Sequence, residues 1–488
     1  MRHNFYRIIL IAGLLLTSAA NSQIHALDGL RYTAETQASF SSGANTPFWL
    51  VNNKQGLSSI KNNSGYVRAA VFRDMDSTDH RFRWGAGADI AGCWNFTSSF
   101  VIQQLYFEAR YRSLGLLIGQ KEINGIFSNP RLSSGDLLYS GNARPIPQLR
   151  VGLPEYTFVP FTKQWLAVKG YIAFGAFTDD GWQRHFANKT AKRTKHALYH
   201  GKAIFFRIGQ TQRSWNVEAG LEMAAQFGGS SIRNGQTTKM PVSFKDILKV
   251  IFAGGGGSNT PIGEQLNVYG NHVGTWNLAA NYSPAPGWLL KAYYQHFFED
   301  HSMMFFQFPW RDGLWGFEAK FPKNRIISGF VYEFLYTKFQ SGSVYWDKTS
   351  QIPHQISGKD DYYNHSIYTG WQHWGMGIGN PLVISPIYNN DGTIQFTSNR
   401  LIGHHIGFMG QPLKQLGYRA LFSYTRNWGT YFKPLNNIKS NFNALIELTY
   451  SPERLRGFEA TLGVGIDRGS LIGNSTGAMI TIKKTGIL

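Results

Sequence analysis

The sequence predicts an all-β fold, a transmembrane antiparallel β-barrel with long extracellular loops and a candidate helical or irregular plug. Three observations carry this expectation. Segments of about a dozen residues alternate apolar with polar side chains, the period of a strand whose two faces meet different surroundings. Their connections alternate between short turns and long loops, which is the outer-membrane arrangement. Beyond residue 22 no apolar run is long enough for a membrane helix, so strands have to make any crossing of a bilayer.

Composition agrees with this class. Of 488 residues only 16% are charged while 15% are aromatic, and the 53 glycines and 14 tryptophans point to glycine-kinked, aromatic-rich β structure. The single Cys93 excludes an intramolecular disulfide and any multi-cysteine metal cluster. A formal charge of +19 implies anionic surroundings or partners: phosphate-bearing lipid, acidic polysaccharide or nucleic acid. The N-terminus narrows that choice. Arg2 and Arg7 lead into the apolar run 8–16, followed by the small residues Ala19, Ala20 and Ser22, the order of a secretory signal. Residues 1–22 are therefore expected to be a signal peptide and 23–488 the exported chain, so nucleic acid is not an expected partner.

Taken in order, alternation marks residues 82–90, then "LYFEARYR" (105–112) and 166–176. "WNVEAGLEMAAQ" (215–226) sets Trp215, Val217, Leu221 and Met223 on one face and Asn216, Glu218, Glu222 and Gln226 on the other. Residues 276–282, 288–299 and 418–425 follow the same rule. "NFNALIELTY" (441–450), "GFEATLGVGID" (457–467) and 478–488 complete the series. Short turns at 283–287, 322–325, 411–417 and 451–457 are expected to be periplasmic, and long loops at 227–273, 299–312, 339–399 and 428–440 extracellular. About seventeen such strands are countable, and a bacterial barrel of one chain needs an even number. The shortfall falls in 122–164, where "SSGDLLYSGNARPIPQLRVGLPEYTFVP" alternates poorly and holds four prolines. That segment is a candidate periplasmic or lumenal plug. A second candidate plug or loop insertion is 227–273, in which Phe244, Ile247, Leu248 and Ile251 recur at helical spacing before the glycines 254–257.

Enzymatic signatures are weak. Glu299, Asp300 and His301 are consecutive, so at a strand end they point different ways and do not converge on a metal or a substrate; His404 and His405 face opposite sides of a strand for the same reason. The glycine run lacks the "GK[ST]" of a phosphate cradle, and "GNSTG" (473–477) leads into an alternating strand where a nucleophile elbow needs a helix. No enzyme activity, cofactor or metal is expected. The loop 339–399 carries Tyr362, Tyr363, His365, Trp371, His373 and Trp374, and the loop 299–312 adds Trp310 and Arg311. Two readings of this set stand side by side. The aromatics pack the loops for their area, or Trp310, Arg311, Tyr362, Tyr363, Trp371, His373 and Trp374 form a carbohydrate-binding surface on which rings stack on sugars and polar groups bond hydroxyls.

Several stretches carry a resemblance: "TPFWL" (46–50), "YSGNARPIPQ" (139–148), "FTDDGWQ" (177–183), "GLEMAAQFGG" (220–229), "HFFEDHSMMFFQ" (296–307), "GWQHWGMGIGNPL" (370–382), "FSYTRNWGTY" (422–431) and "MITIKKTG" (479–486). The chain resembles the Wzi family of outer-membrane capsule assembly proteins, in its Bacteroidetes-type branch, over nearly the whole exported length. The resemblance implies a barrel of about 18 strands in the cell outer membrane and a lectin-like role, binding capsular or related exopolysaccharide at the cell surface. The expected partners are that polysaccharide and outer-membrane lipid including lipopolysaccharide, with the chain monomeric. The alternative is a porin or export-assisting channel. The lumen separates them: a plug favours binding, an open bore conduction.

Overall fold

The structure is a computed structural model that describes residues 29–75, 81–209, 214–261, 264–265, 268–299, 304, 311–343 and 358–488. The segment 1–22 read as a signal, and Trp310, Asp300 and His301, lie outside the described residues. Nine strands make the first half of the wall: β1 (Arg31–Gly43), β2 (Asn63–Arg73), β3 (Phe82–Trp94), β4 (Phe100–Tyr111), β5 (Leu114–Gln120), β6 (Gln148–Phe158), β7 (Leu166–Ala176), β8 (Leu198–Ile208) and β9 (Trp215–Phe227). The second half is β10 (Asn271–Tyr282), β11 (Leu289–Glu299), β12 (Gly313–Lys320), β13 (Gly329–Tyr336), β14 (Leu401–Leu413), β15 (Leu416–Gly429), β16 (Pro434–Tyr450), β17 (Phe458–Gly469) and β18 (Ser475–Ile487). They form one 18-stranded antiparallel sheet in which each strand pairs with its neighbours in sequence. Arg31↔Ile487 through Gly43↔Ser475 joins β1 to β18 and closes the barrel, so no edge is left unpaired.

The alternation in the sequence becomes the two sides of this wall. On β17, Leu462, Val464 and Ile466 are exposed on the outside, while Gly463, Gly465 and Asp467 are buried on the inside. Ile172, Ile204, Val217, Leu278 and Ile480 continue the exposed apolar belt round the barrel. A belt of that extent is matched by hydrocarbon and not by water. Aromatics cluster towards its rims, with Phe40, Trp94, Phe100 and Trp315 near the loop end and Tyr111, Trp215, Tyr282 and Tyr450 near the turn end.

Two segments depart from the sequence expectation. Within 122–164, residues 148–158 are the wall strand β6, paired with β5 and β7. Its ladder slips between Leu153 and Thr157, around Pro154, which has no N–H to donate; the slip also erases the alternation. The expected loop 428–440 is mostly strand, since β15 runs to Gly429 and β16 starts at Pro434. There the ladder continues beyond the apolar belt, where both faces are wet and the period-two signal has no cause.

The insertion after β9 forms a small sheet, 230–233 with 236–239 and 193–195, followed by a helix, Phe244–Phe252. Ser243 and Asp246 close that helix with a capping box, and Ala253 ends it in the left-handed conformation. The helix lies against the outside of the wall. The Lys202 ammonium donates to the Ile251 carbonyl, and Lys202 alternates along β8 with the outward Ile204 and Phe206. Outward Met223 and Phe298 are likewise covered by Ala253 and Val268.

Candidate functional site

Three segments that enter at the loop end fill the upper lumen: residues 44–62 with a short helix at Phe48–Val51, residues 121–147, and residues 358–400. Each carries backbone groups that no sheet satisfies, and inward polar side chains of the wall supply the missing partners. The Phe48 amide donates to Asp467 (2.8 Å) and the Leu137 amide to Gln295 Oε1 (2.9 Å). Glu333 accepts from the Ser134 amide (2.6 Å) and from the Ser133 hydroxyl. Lys291 donates to the Phe127 carbonyl (2.6 Å), and the Asn129 amide to Glu318 (2.7 Å). Trp49 donates to Ser423 (3.1 Å), which faces His405 Nδ1 (2.7 Å), and His405 Nε2–H donates to the Leu132 carbonyl (2.8 Å). These wall residues belong to β11, β12, β13, β14, β15 and β17, so the plug is tied across much of the circumference.

Steric fit supports the same conclusion. A Cβ added at inward Gly407 would stand 2.2 Å from the Leu132 carbonyl oxygen, and one at Gly465 2.7 Å from Pro47 Cβ. The plug therefore crosses where the wall has no side chain.

The aromatic set expected at the outer surface is mostly inside this plug, which corrects that expectation. Tyr362, Tyr363, Trp371 and His373 are at most 2% exposed. Tyr362 donates to Asp312 (3.0 Å), the Tyr363 amide to Glu299 (2.5 Å) and Trp371 Nε1 to the Leu138 carbonyl (2.8 Å). His373 accepts from the Thr178 amide at Nε2 (3.1 Å) and donates from Nδ1 to the Arg144 carbonyl (2.9 Å), and burial holds it below the usual histidine range. Each ring has a polar tip that pairs with plug or wall, so area and hydrogen bonds are used up internally. Trp374 is half-buried beneath the Arg144 guanidinium, 4.3 Å from the ring centroid. Arg311 is exposed, 5.5 Å from the Phe339 ring. Packing, the other reading, is where the geometry puts Tyr362, Tyr363, Trp371 and His373.

Arg144 itself is buried, and burial pushes its pKa down to about 10. It donates to Thr97 (2.7 Å) and has no carboxylate partner among the described residues. Below the plug, towards the turn end, two charged spaces of the lumen stand out among the described residues. One of about 580 Å³ is bounded by Glu35, Arg68, Arg131, Glu447 and Lys483. The other, of about 320 Å³, is bounded by Arg110, Arg150, Lys169, Tyr171 and Glu222. For Glu35, Arg68, Arg110, Lys169, Glu222, Glu447 and Lys483 the sequence signal was present, since each is an inward charge on a wall strand, but alternation alone does not say which inward charges face open space. Among the described residues no group of three His, Cys, Asp or Glu side chains is placed to hold a metal.

With this geometry in hand, comparisons place the architecture. No family model and no curated protein matches the chain. Among solved structures it is similar to Wzi of Escherichia coli, described as an outer-membrane protein involved in group 1 capsule assembly and a carbohydrate-binding β-barrel. The TM-score is 0.55 at 14% identity, over 97% of this chain and 88% of that one. This is a likeness of fold. OprD of Pseudomonas aeruginosa aligns at 9% identity over 94% of this chain and 95% of that one, with a TM-score of 0.44. OccAB2 of Acinetobacter baumannii aligns at 8% identity over 94% and 98%, with a TM-score of 0.47. At those scores the two carry no argument about this chain.

Proposed function

We propose that the chain is a Wzi-type protein of the cell outer membrane that binds and anchors an acidic capsular or related exopolysaccharide. The observation that carries the proposal is the plug. A conducting channel needs a continuous wet bore, whereas here wall side chains on six strands are spent on holding inserted backbone in place. The net charge of +19 supplies long-range attraction for a polyanion, and the Wzi-like architecture agrees with a carbohydrate-binding role. On this proposal the apolar belt sits in the bilayer, the short turns face the periplasm and the long loops face outward.

The test is cell-surface retention. Cells lacking the chain should release polysaccharide into the medium that the parent retains, and re-expression should restore retention. Unchanged retention in the deletion strain would overturn the proposal.

A further inference from the structure

The smaller lumenal space is built unlike its neighbour. Four cations line it, and two of these are neutralised by direct ion pairs: Arg110 with Glu155 (2.5 Å) and Lys121 with Glu108 (2.7 Å). The other two, Arg150 on β6 and Lys169 on β7, form no ion pair with any carboxylate among the described residues. Arg150 lies 3.8 Å from the Tyr171 ring centroid and uses its Nε on Gln148 (3.2 Å). Lys169 stands 4.9 Å from the Tyr156 centroid and 5.4 Å from that of Phe205. The nearby carboxylate Glu222 accepts from the Tyr171 hydroxyl (2.8 Å).

Three carboxylates line the same cavity, but Glu108 pairs with Lys121, Glu122 with Arg68, and Glu222 accepts from Tyr171 and acts on Arg150 and Lys169 only from beyond contact distance, so these two cations over aromatic faces are left to receive an anion. Part of the attraction comes from a guanidinium, whose planar fork suits a carboxylate. The volume of about 320 Å³ lies at the lower end of the usual range for small-ligand sites, about 300–1,000 Å³. Ring faces beside cations match a ligand that has both an apolar face and a negative group. A carboxylate-bearing sugar has both; a neutral sugar lacks the second. Met75, Arg110 and Pro154 continue the lining to the turn end, opposite the plug.

We infer that this cavity is a subsite for one carboxylate-bearing sugar unit, entered from the turn end, with Arg150 and Lys169 as its anion-binding pair. The inference rests on the polysaccharide-binding function proposed above, and adds the ligand's charge, the residues and, because the turn end faces the periplasm on that proposal, a contact with the polymer on the periplasmic side of the plug before it reaches the cell surface.

The experiment is titration calorimetry of the full exported chain in detergent, with oligogalacturonate as the acidic probe and malto-oligosaccharide of equal length as the neutral one. The acidic probe should bind at least about tenfold more tightly than the neutral one and weaken with added salt. Arg150→Gln/Lys169→Gln should lower acidic affinity by about tenfold or more while heat-modifiable migration shows an intact barrel. If the double variant does not fold, Lys169→Gln alone is expected to lower it about threefold. Should the parent bind neither probe, the subsite falls, while the retention test above decides the broader proposal on its own. Should the parent bind the acidic probe and the folded variant bind it equally well, the subsite falls while the broader proposal stands. Equal binding of the two probes by the parent contradicts the charge selectivity.

Discussion

Trp371 shows how far a single residue's chemistry can be read before its place is known. Its ring is fully buried against Tyr139, Phe177 and Tyr199, and its Nε1 donates into the plug. Trp371→Ala should cost about 3–5 kcal/mol, the usual range for emptying a buried aromatic site. Arg311→Ala, on an exposed side chain, should change stability by less than about 0.5 kcal/mol. Urea unfolding followed by tryptophan fluorescence and gel migration checks both; similar effects at the two positions would contradict the burial assignment. A pH effect belongs to the same scale. Glu264 and His365 approach to 3.5 Å between the outer insertion and the plug, yet burial favours the neutral form of both, raising Glu264 to about 7 and lowering His365 to about 3. Because the folded pKa of Glu264 is raised, its contribution is full below its ordinary carboxylate pKa and is lost as pH rises through about 7. The lowered His365 acts oppositely, contributing above its ordinary value and losing that contribution as pH falls through about 3. Hydrogen exchange at 268–270 should quicken, beyond its intrinsic pH dependence, between pH values of about 5 and 8, and Glu264→Gln should remove that excess. An excess that persists in the variant would exclude Glu264 as its source.

At the scale of elements, the inside and outside of each strand have different tolerances. Leu462→Arg, on the lipid face of β17, should cost about 2–4 kcal/mol near the midplane, whereas Thr481→Arg, facing the larger lumenal space from β18, should cost little. Refolding into detergent or lipid with a urea titration distinguishes them. Gly407→Val, which drives a side chain into the Leu132 carbonyl, should destabilise the plug by about 1–3 kcal/mol while leaving wall pairing intact. Much of this level was legible in the sequence, because alternation is a direct record of a wall with lipid on one side: the faces of β9, β16 and β17 follow from it. What was not legible had specific causes. Pro154 broke the ladder of β6 and hid a strand, and beyond the apolar belt β15 and β16 continue by backbone pairing alone. The segment 243–257 showed its helix through spacing and its glycines, but not that Lys202 fixes it to the outer wall. Tyr363, Trp371 and His373 were legible as an aromatic loop, whereas its turn into the lumen depends on Glu299 and on plug carbonyls more than two hundred residues away in the chain.

For the whole molecule, orientation and occupancy of the lumen decide the function. A labelling tag at the exposed 390–391 turn should react on intact cells and one at 452–453 only after the outer membrane is opened, because these positions lie at opposite ends of the barrel. The reverse pattern would invert the assignment and place the proposed sugar subsite on the outside. Occupancy of the lumen is the more fundamental matter, since inserted backbone tied by Asp467, Gln295, Glu333, Lys291 and His405 fills its upper part. The most direct measurement is single-channel recording of the purified chain in a planar bilayer. The plugged barrel should insert without discrete conductance steps, and deletion of 123–145 or Gly407→Val should introduce them. Stable, ohmic steps from the unaltered chain would show an open bore and contradict the account.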